Sequence, residues 1–237
     1  YIESLAAGFR KAYDIAGQAR TKGLDPEKTV EIYPAADVAA RVEGLVGPKG
    51  CSQRIRELVI QKNREAASFE IAREIVEGKF AVGQHAEGEG INSEARIEQA
   101  VRTGLALFTE GVVSAPIEGI SKVSVCSNPD GSKFVAVYFA GPIRGAGGTG
   151  QAFALILADH CRQLAKLANY RPLGDEVERY VEECNLYAMK TRAGQYVPTA
   201  EEIKHIINNC PVRIDGEPTE DYEVSNHRNL PTVPSNR

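Results

Sequence analysis

The sequence contains no C-x-x-C pair. Its cysteines, Cys51, Cys126, Cys161, Cys184 and Cys210, are widely spaced and odd in number, so they suggest neither a zinc knuckle nor a disulfide framework. Reduced structural thiols are the expectation. No apolar run approaches the roughly 20 residues that a membrane span needs, and no signal peptide precedes the first helical pattern, which reads as a cytoplasmic protein with no membrane partner. Excess positive charge is missing too. A formal net charge of −4 excludes a nucleic-acid binder that works by bulk charge and leaves only local patches. His85, His160, His205 and His227 have no ligand-like spacing to one another or to a cysteine, so no metal is expected on them. No Met precedes Tyr1 and no closing element follows Pro234, which reads as a piece of a longer protein.

What is present is an ordinary globular composition: 237 residues, 43% hydrophobic and 25% charged, enough for one large domain or two small ones. Ile2, Leu5, Phe9, Ala12 and Ala16 recur at helical spacing, and Gly23 with Asp25-Pro26 ends that pattern. A short helix is expected over residues 35–46, one long helix from Ser52 to Val76, a loop over 81–92 and a helix from Glu94 to Thr109. Arg54, Arg56, Lys62 and Arg64 make a basic stripe, a solvated face or a second DNA-facing surface. Residues 120–126 and 133–140 are β-branched and aromatic around Asn128-Pro129-Asp130-Gly131, a hairpin signal. Phe153, Ile156, Leu157, His160 and Leu164 predict a helix, with Ala152–Ala158 deeply buried and His160 a core histidine with one hydrogen bond. A helix over Gly174–Lys190 is expected to hold Val177, Tyr180, Val181 and Cys184 inside and Asp175, Glu176, Glu178, Glu182 and Glu183 outside. Thr199 to Glu202 spells a capping box. Val212–Ile214, an Asp215-Gly216 turn and Tyr222–Val224 suggest a second small hairpin. The fold class is therefore α+β, with a mainly helical region 1–110 and an α+β region 111–237.

Between the second strand and the following helix lies FAGPIRGAGGTGQAFALILAD, residues 139–159. Gly145, Gly147 and Gly150 match G-x-G-x-x-G, but a dinucleotide site needs a second parallel strand ending in an acid about 20 residues on, and another helix stands there. The spacing also fits a P-loop, whose Lys and Ser/Thr are replaced by Gln151 and Ala152, so triphosphate chemistry is excluded. Two readings stay open. Freed amides beside Arg144 could hold a phosphodiester, with Arg144, Gly145, Gly147, Gly148, Thr149, Arg162 and Lys166 as nucleic-acid contacts; or the glycines only let strand and helix pack closely.

Longer phrases carry more information. YFAGPIRGAGGTGQA at 138–152, RVEGLVGPKG at 41–50, EGVVSAPIEGI at 110–120, NCPVRIDGEPTEDYEVS at 209–225 and NLPTVPSN at 229–236 resemble the N-terminal region of the large subunit of archaeal family D DNA polymerases, in order and over nearly the whole chain. The resemblance implies a two-subunit replicative polymerase, a DNA-directed nucleotidyltransferase whose small subunit carries a 3′-to-5′ exonuclease. It implies primer-template DNA and the sliding clamp as further partners and magnesium as the parent enzyme's cofactor. The catalytic carboxylates of that family lie downstream, so this segment has none and needs no cofactor of its own. A KH-like nucleic-acid module, with a Gly-x-x-Gly loop, is also implied near the N-terminus, in part of region 111–237.

Overall fold

A computed structural model describes residues 1–24, 35–81, 94–110, 114–191 and 196–216. All but the first residue of the expected loop at 81–92, and the expected strand at Tyr222–Val224, lie outside them. Residue contacts divide the chain into Tyr1–Pro34 and Ala35–Arg237. The first unit holds α1 (Ile2–Thr21), amphipathic as its spacing predicts, with no buried residue. In the second unit one hydrophobic core runs from Ala39 through Leu107 to Val212, so the helical region that ends at residue 110 shares its core with the strands and helices of region 111–237.

Short polar caps set the first helices of that unit. Asp37 accepts from the Ala40 amide at 2.7 Å to start α2 (Val38–Leu45). The single helix expected from Ser52 to Val76 is two, α3 (Cys51–Gln61) and α4 (Arg64–Val76). Lys62 is extended, and the Asn63 side chain accepts from the Ala66 amide at 2.9 Å. An asparagine that bonds its own backbone competes with helix continuation and starts a new one.

At the centre α4, α5 (Glu94–Phe108) and α6 (Gly147–Leu164) pack together. Gly104 of α5 is the contact point. A Cβ there would lie 3.0 Å from both methyl carbons of Leu157 on α6 and 3.1 Å from the Ser68 carbonyl oxygen on α4. Phe153 stacks on Phe108 at 3.9 Å and meets Phe69 edge-on at 5.3 Å, which ties the same three helices through rings.

The expected hairpin is present as β1 (Ile120–Ser127) and β2 (Lys133–Phe139), antiparallel, with the Gly131 amide closing the turn onto the Asn128 carbonyl at 2.9 Å. Alternation along β2 feeds two cores: Val135 and Val137 face α4 to α6, while Phe134 and Ala136 face the second cluster. That cluster is built with α7 (Gly174–Thr191) and α8 (Ala200–Asn209), whose Thr199–Glu202 capping box forms as read. The Asp215-Gly216 pair is a correction. Both residues lie inside β3 (Arg213–Gly216), which runs parallel to β2 and completes the order β1-β2-β3. The α+β class stands.

Burial also corrects two faces. Ile156 is 55% exposed and Ala152 is exposed, so the apolar opening of α6 is covered on one side only. On α7, Glu176 and Glu183 are inside, on a buried stripe with Val177, Arg179 and Tyr180. Arg179 donates to Glu183 at 3.1 Å, the pairing that makes a buried carboxylate tolerable.

Two measurements test this packing. Gly104→Ala is expected to lower unfolding free energy by about 1–3 kcal/mol in denaturant titration, since Leu157 and the α4 backbone would both have to give way in a packed core to admit the methyl. Glu70 is held down to about 2, chiefly by the hydrogen bond from Arg73, against burial and with help from Lys62. Its folded value lies below the unfolded one near 4.5, so the unfolded chain takes up the proton first and the stabilisation is lost as pH falls from there toward about 2. Glu70→Gln is therefore expected to lower Tm at pH 7, with the gap closing through that acid range.

Candidate nucleic-acid interface

The stretch read as a glycine loop is mostly helical. After β2 the chain forms a 3-10 helix over Gly141–Ala146, anchored by the buried Ile143, and passes into α6 through Gly147 at φ 69°. That left-handed φ is the reason for a glycine at 147. Gly150 answers to packing: a Cβ there would sit 2.6 Å from the Ala146 methyl. Gly148 has open space around it and an ordinary φ, so neither strain nor crowding requires it. The 145–148 Gly-x-x-Gly spacing thus joins a 3-10 turn to α6, not two α-helices as a KH loop does.

Of the expected contacts, the structure brings together those at one end of α6. Gly145, Gly147, Gly148 and Thr149 are exposed, the N-terminus of α6 has no side-chain cap, and its first turn carries no acid. An α-helix leaves its first four amides without an intrahelical acceptor, and its dipole favours an anion there. The backbone of Arg144 lies on the 3-10 turn; its side chain is outside what is described.

Lys166 is exposed at the opposite end of α6, about 27 Å away at 1.5 Å per residue. It occupies the left-handed position of the helix stop at φ 55°, its amide bonded to the Gln163 carbonyl and the Leu167 amide to the Arg162 carbonyl, the paired bonds of a Schellman motif. Arg162 is buried and engaged: its Nε donates to Asp159 at 2.7 Å and its Nη1 to the Leu167 carbonyl at 2.6 Å. It closes the helix end with two of its three guanidinium nitrogens.

The basic stripe is likewise committed. Arg54 donates to Glu74 and Glu57, Arg56 to Asp37, and Arg64 to Glu110, while Lys62 faces Glu70 at 3.3 Å. Burial pushes the Glu74 carboxyl up, but hydrogen bonds from Arg54 and Lys79 outweigh it and hold it below the usual range. The stripe fastens α3 to α2, α4 and the end of α5. His160 makes no hydrogen bond through its buried Nε2 and lies edge-on to Phe69 at 5.2 Å; burial and then Arg73 lower its pKa. The cysteines are free thiols, and burial pushes Cys51 and Cys161 up to about 12, far from reactive. Among the described residues no three of His, Cys, Asp or Glu converge on a possible metal site, and no helix is long and apolar enough to cross a membrane.

Residues 1–237 match the family described as DNA polymerase II large subunit DP2, N-terminal. The chain belongs to this family. It is 48% identical over 237 residues to the DNA polymerase II large subunit of Methanococcus maripaludis strain C5, covering 100% of this chain and 20% of the relative. The Methanosarcina barkeri subunit is 45% identical over the same length, covering 20% of that protein, and the Thermococcus kodakarensis subunit is 45% identical over 238 residues, covering 13% of it. This N-terminal region of the large subunit thus spans about a fifth or less of the relatives it matches. Its wording carried the family where its glycine motif did not.

In the large-subunit region, Gly148→Ala is expected to raise stability by about 0.5–1 kcal/mol through helix propensity, and Lys166→Gly by up to about 1 kcal/mol by relieving the left-handed side chain. Chemical unfolding of both variants checks the two ends of α6.

Proposed function

We propose that this chain is a non-catalytic part of the large subunit of a DNA-directed DNA polymerase and that its first task is assembly. The family and the relatives' printed names support the polymerase reading. The observation that carries the assembly role is α1, whose Ile2, Leu5, Phe9 and Ile15 are 80%, 44%, 57% and 57% exposed. An amphipathic helix whose apolar face no described residue of its own unit, Tyr1–Pro34, covers is a docking element. Its partner is the remainder of the large subunit, since about four-fifths of the Methanococcus relative's length lies beyond the match. The exonuclease-bearing small subunit, the sliding clamp and the magnesium-dependent synthesis belong to the parent enzyme in this reading. The test is Leu5→Glu with Phe9→Glu in the intact enzyme. Recovery of assembled enzyme should fall severalfold while synthesis per assembled molecule is unchanged; wild-type recovery would remove α1 from assembly.

A second role rests on the uncapped first turn of α6. There the exposed residues Gly147, Gly148 and Thr149, together with Arg144, hold a DNA phosphate. Arg144→Ala in the intact polymerase should then weaken DNA binding and reduce the salt slope by about 1. Gly148→Ala should weaken it while stabilising the fold. An unchanged salt slope and affinity in both would leave the glycines a packing device.

A further inference from the structure

A groove of about 510 Å³ opens between the middle and end of α7, the residues that lead into α8 and the end of β3. Its α7 side is the face that carries Tyr180, Cys184, Tyr187 and Ala188, and Tyr196 and Val197 line it as well. That face of α7 begins under cover. Val177 and Tyr180 are buried in the second cluster with Phe134 and Ile203, and Cys184 is partly buried against them. Further along, Tyr187 is 39% exposed, and Tyr196 and Val197 are 68% and 52% exposed. The apolar stripe runs on past the elements that cover it, which marks a contact with something further.

Much of the polar chemistry around the groove is already committed. Glu183 accepts from Arg179 at 3.1 Å and Asp215 accepts from Arg213. The Tyr180 hydroxyl donates to the Ile214 carbonyl at 2.7 Å, and the Tyr196 hydroxyl donates to Glu202 at 2.6 Å. The Gly216 amide donates to the Asp215 carboxylate at 2.7 Å, so side chains already hold two backbone groups at this end of β3. Most of the surface lining the groove is apolar. A phosphate backbone would meet the carboxylates of Glu183, Asp215 and Glu202, and a nucleobase would set several polar edge groups against that apolar wall. An apolar side chain meets neither cost. A cavity of about 150 Å³ admits a benzene ring, so the groove has room for about two large side chains.

We infer that this groove docks an apolar segment of the remainder of the large subunit, anchored by aromatic or large aliphatic side chains. About four-fifths of the Methanococcus relative's length lies beyond the match, and a segment on the same polypeptide meets the groove at a higher effective concentration than a separate partner does. The inference rests on the assembly reading and adds a second surface to it. Its residues lie outside α1, so recovery of assembled enzyme reads α1 and the experiment below reads the groove.

The experiment places a photo-reactive benzophenone side chain at Val197 and, separately, at Tyr187 of the intact polymerase, and identifies the cross-linked peptides by mass spectrometry. Both positions are exposed, so the fold admits the larger side chain. The expected result is a cross-link from both positions to one large-subunit segment outside this region. The yield from Val197 should fall roughly tenfold in Ala188→Arg, which sets a charge in the apolar wall, and in Tyr187→Ser, which removes a ring from an exposed position of α7. Cross-links confined to the small subunit, to DNA or to residues 1–237 would overturn the proposal. So would no cross-link from either position, or a yield that neither variant lowers.

Discussion

Three helices meet at a carbon that is not there. With Gly104 as the contact, α4, α5 and α6 approach closely enough for Leu157 and the Ser68 carbonyl to fill the space where any side chain would begin. Close-packed interiors do not accommodate an added methyl without displacement. Everything that matters about α6 depends on that approach: Phe153 seats between Phe69 and Phe108, the uncapped N-terminus stands exposed after the 3-10 turn, and the far end closes on Arg162.

Charge is used mainly inside the molecule. Arg54, Arg56, Lys62 and Arg64 look like a surface for an anion when read along one helix, yet each meets a carboxylate, most of them on another element. The same holds for Arg162 with Asp159 and Arg179 with Glu183. Exposed pairs of this kind are worth little individually, but Glu74, 2% exposed and shared by Arg54 and Lys79, would be left as a buried charge if its partners were removed. The cations most easily imagined on a phosphate backbone are therefore largely occupied, whereas Gly147, Gly148 and Thr149 are exposed at a helix start that has no side-chain cap.

Legibility follows range. The hairpin around Asn128 to Gly131 and the capping box at Thr199 are written within a few residues, and both form as read. The break at Lys62-Asn63 was legible too, in an asparagine ahead of Glu65, but an unbroken apolar rhythm on both sides concealed it. Glu176 and Glu183 read as outside because carboxylates prefer water; Arg179, three and four residues from them, is the signal that the stripe turns inward. The glycine stretch divides by cause: Gly147 by its φ, Gly150 by crowding, and Gly148 by neither.

By itself the sequence determined the local elements, because periodicity, caps and turns act over one or two turns of chain, and it determined the family, through long phrases that no single motif matches. The tertiary structure alone decided that Arg213–Gly216 runs parallel to β2, that Arg162 faces its own helix end, and that Gln151, Tyr187 and Ile214 line one groove. The strand pairing and the groove join residues separated by tens of positions. Such pairing is set by which apolar faces can be buried together, a condition that only the folded chain satisfies.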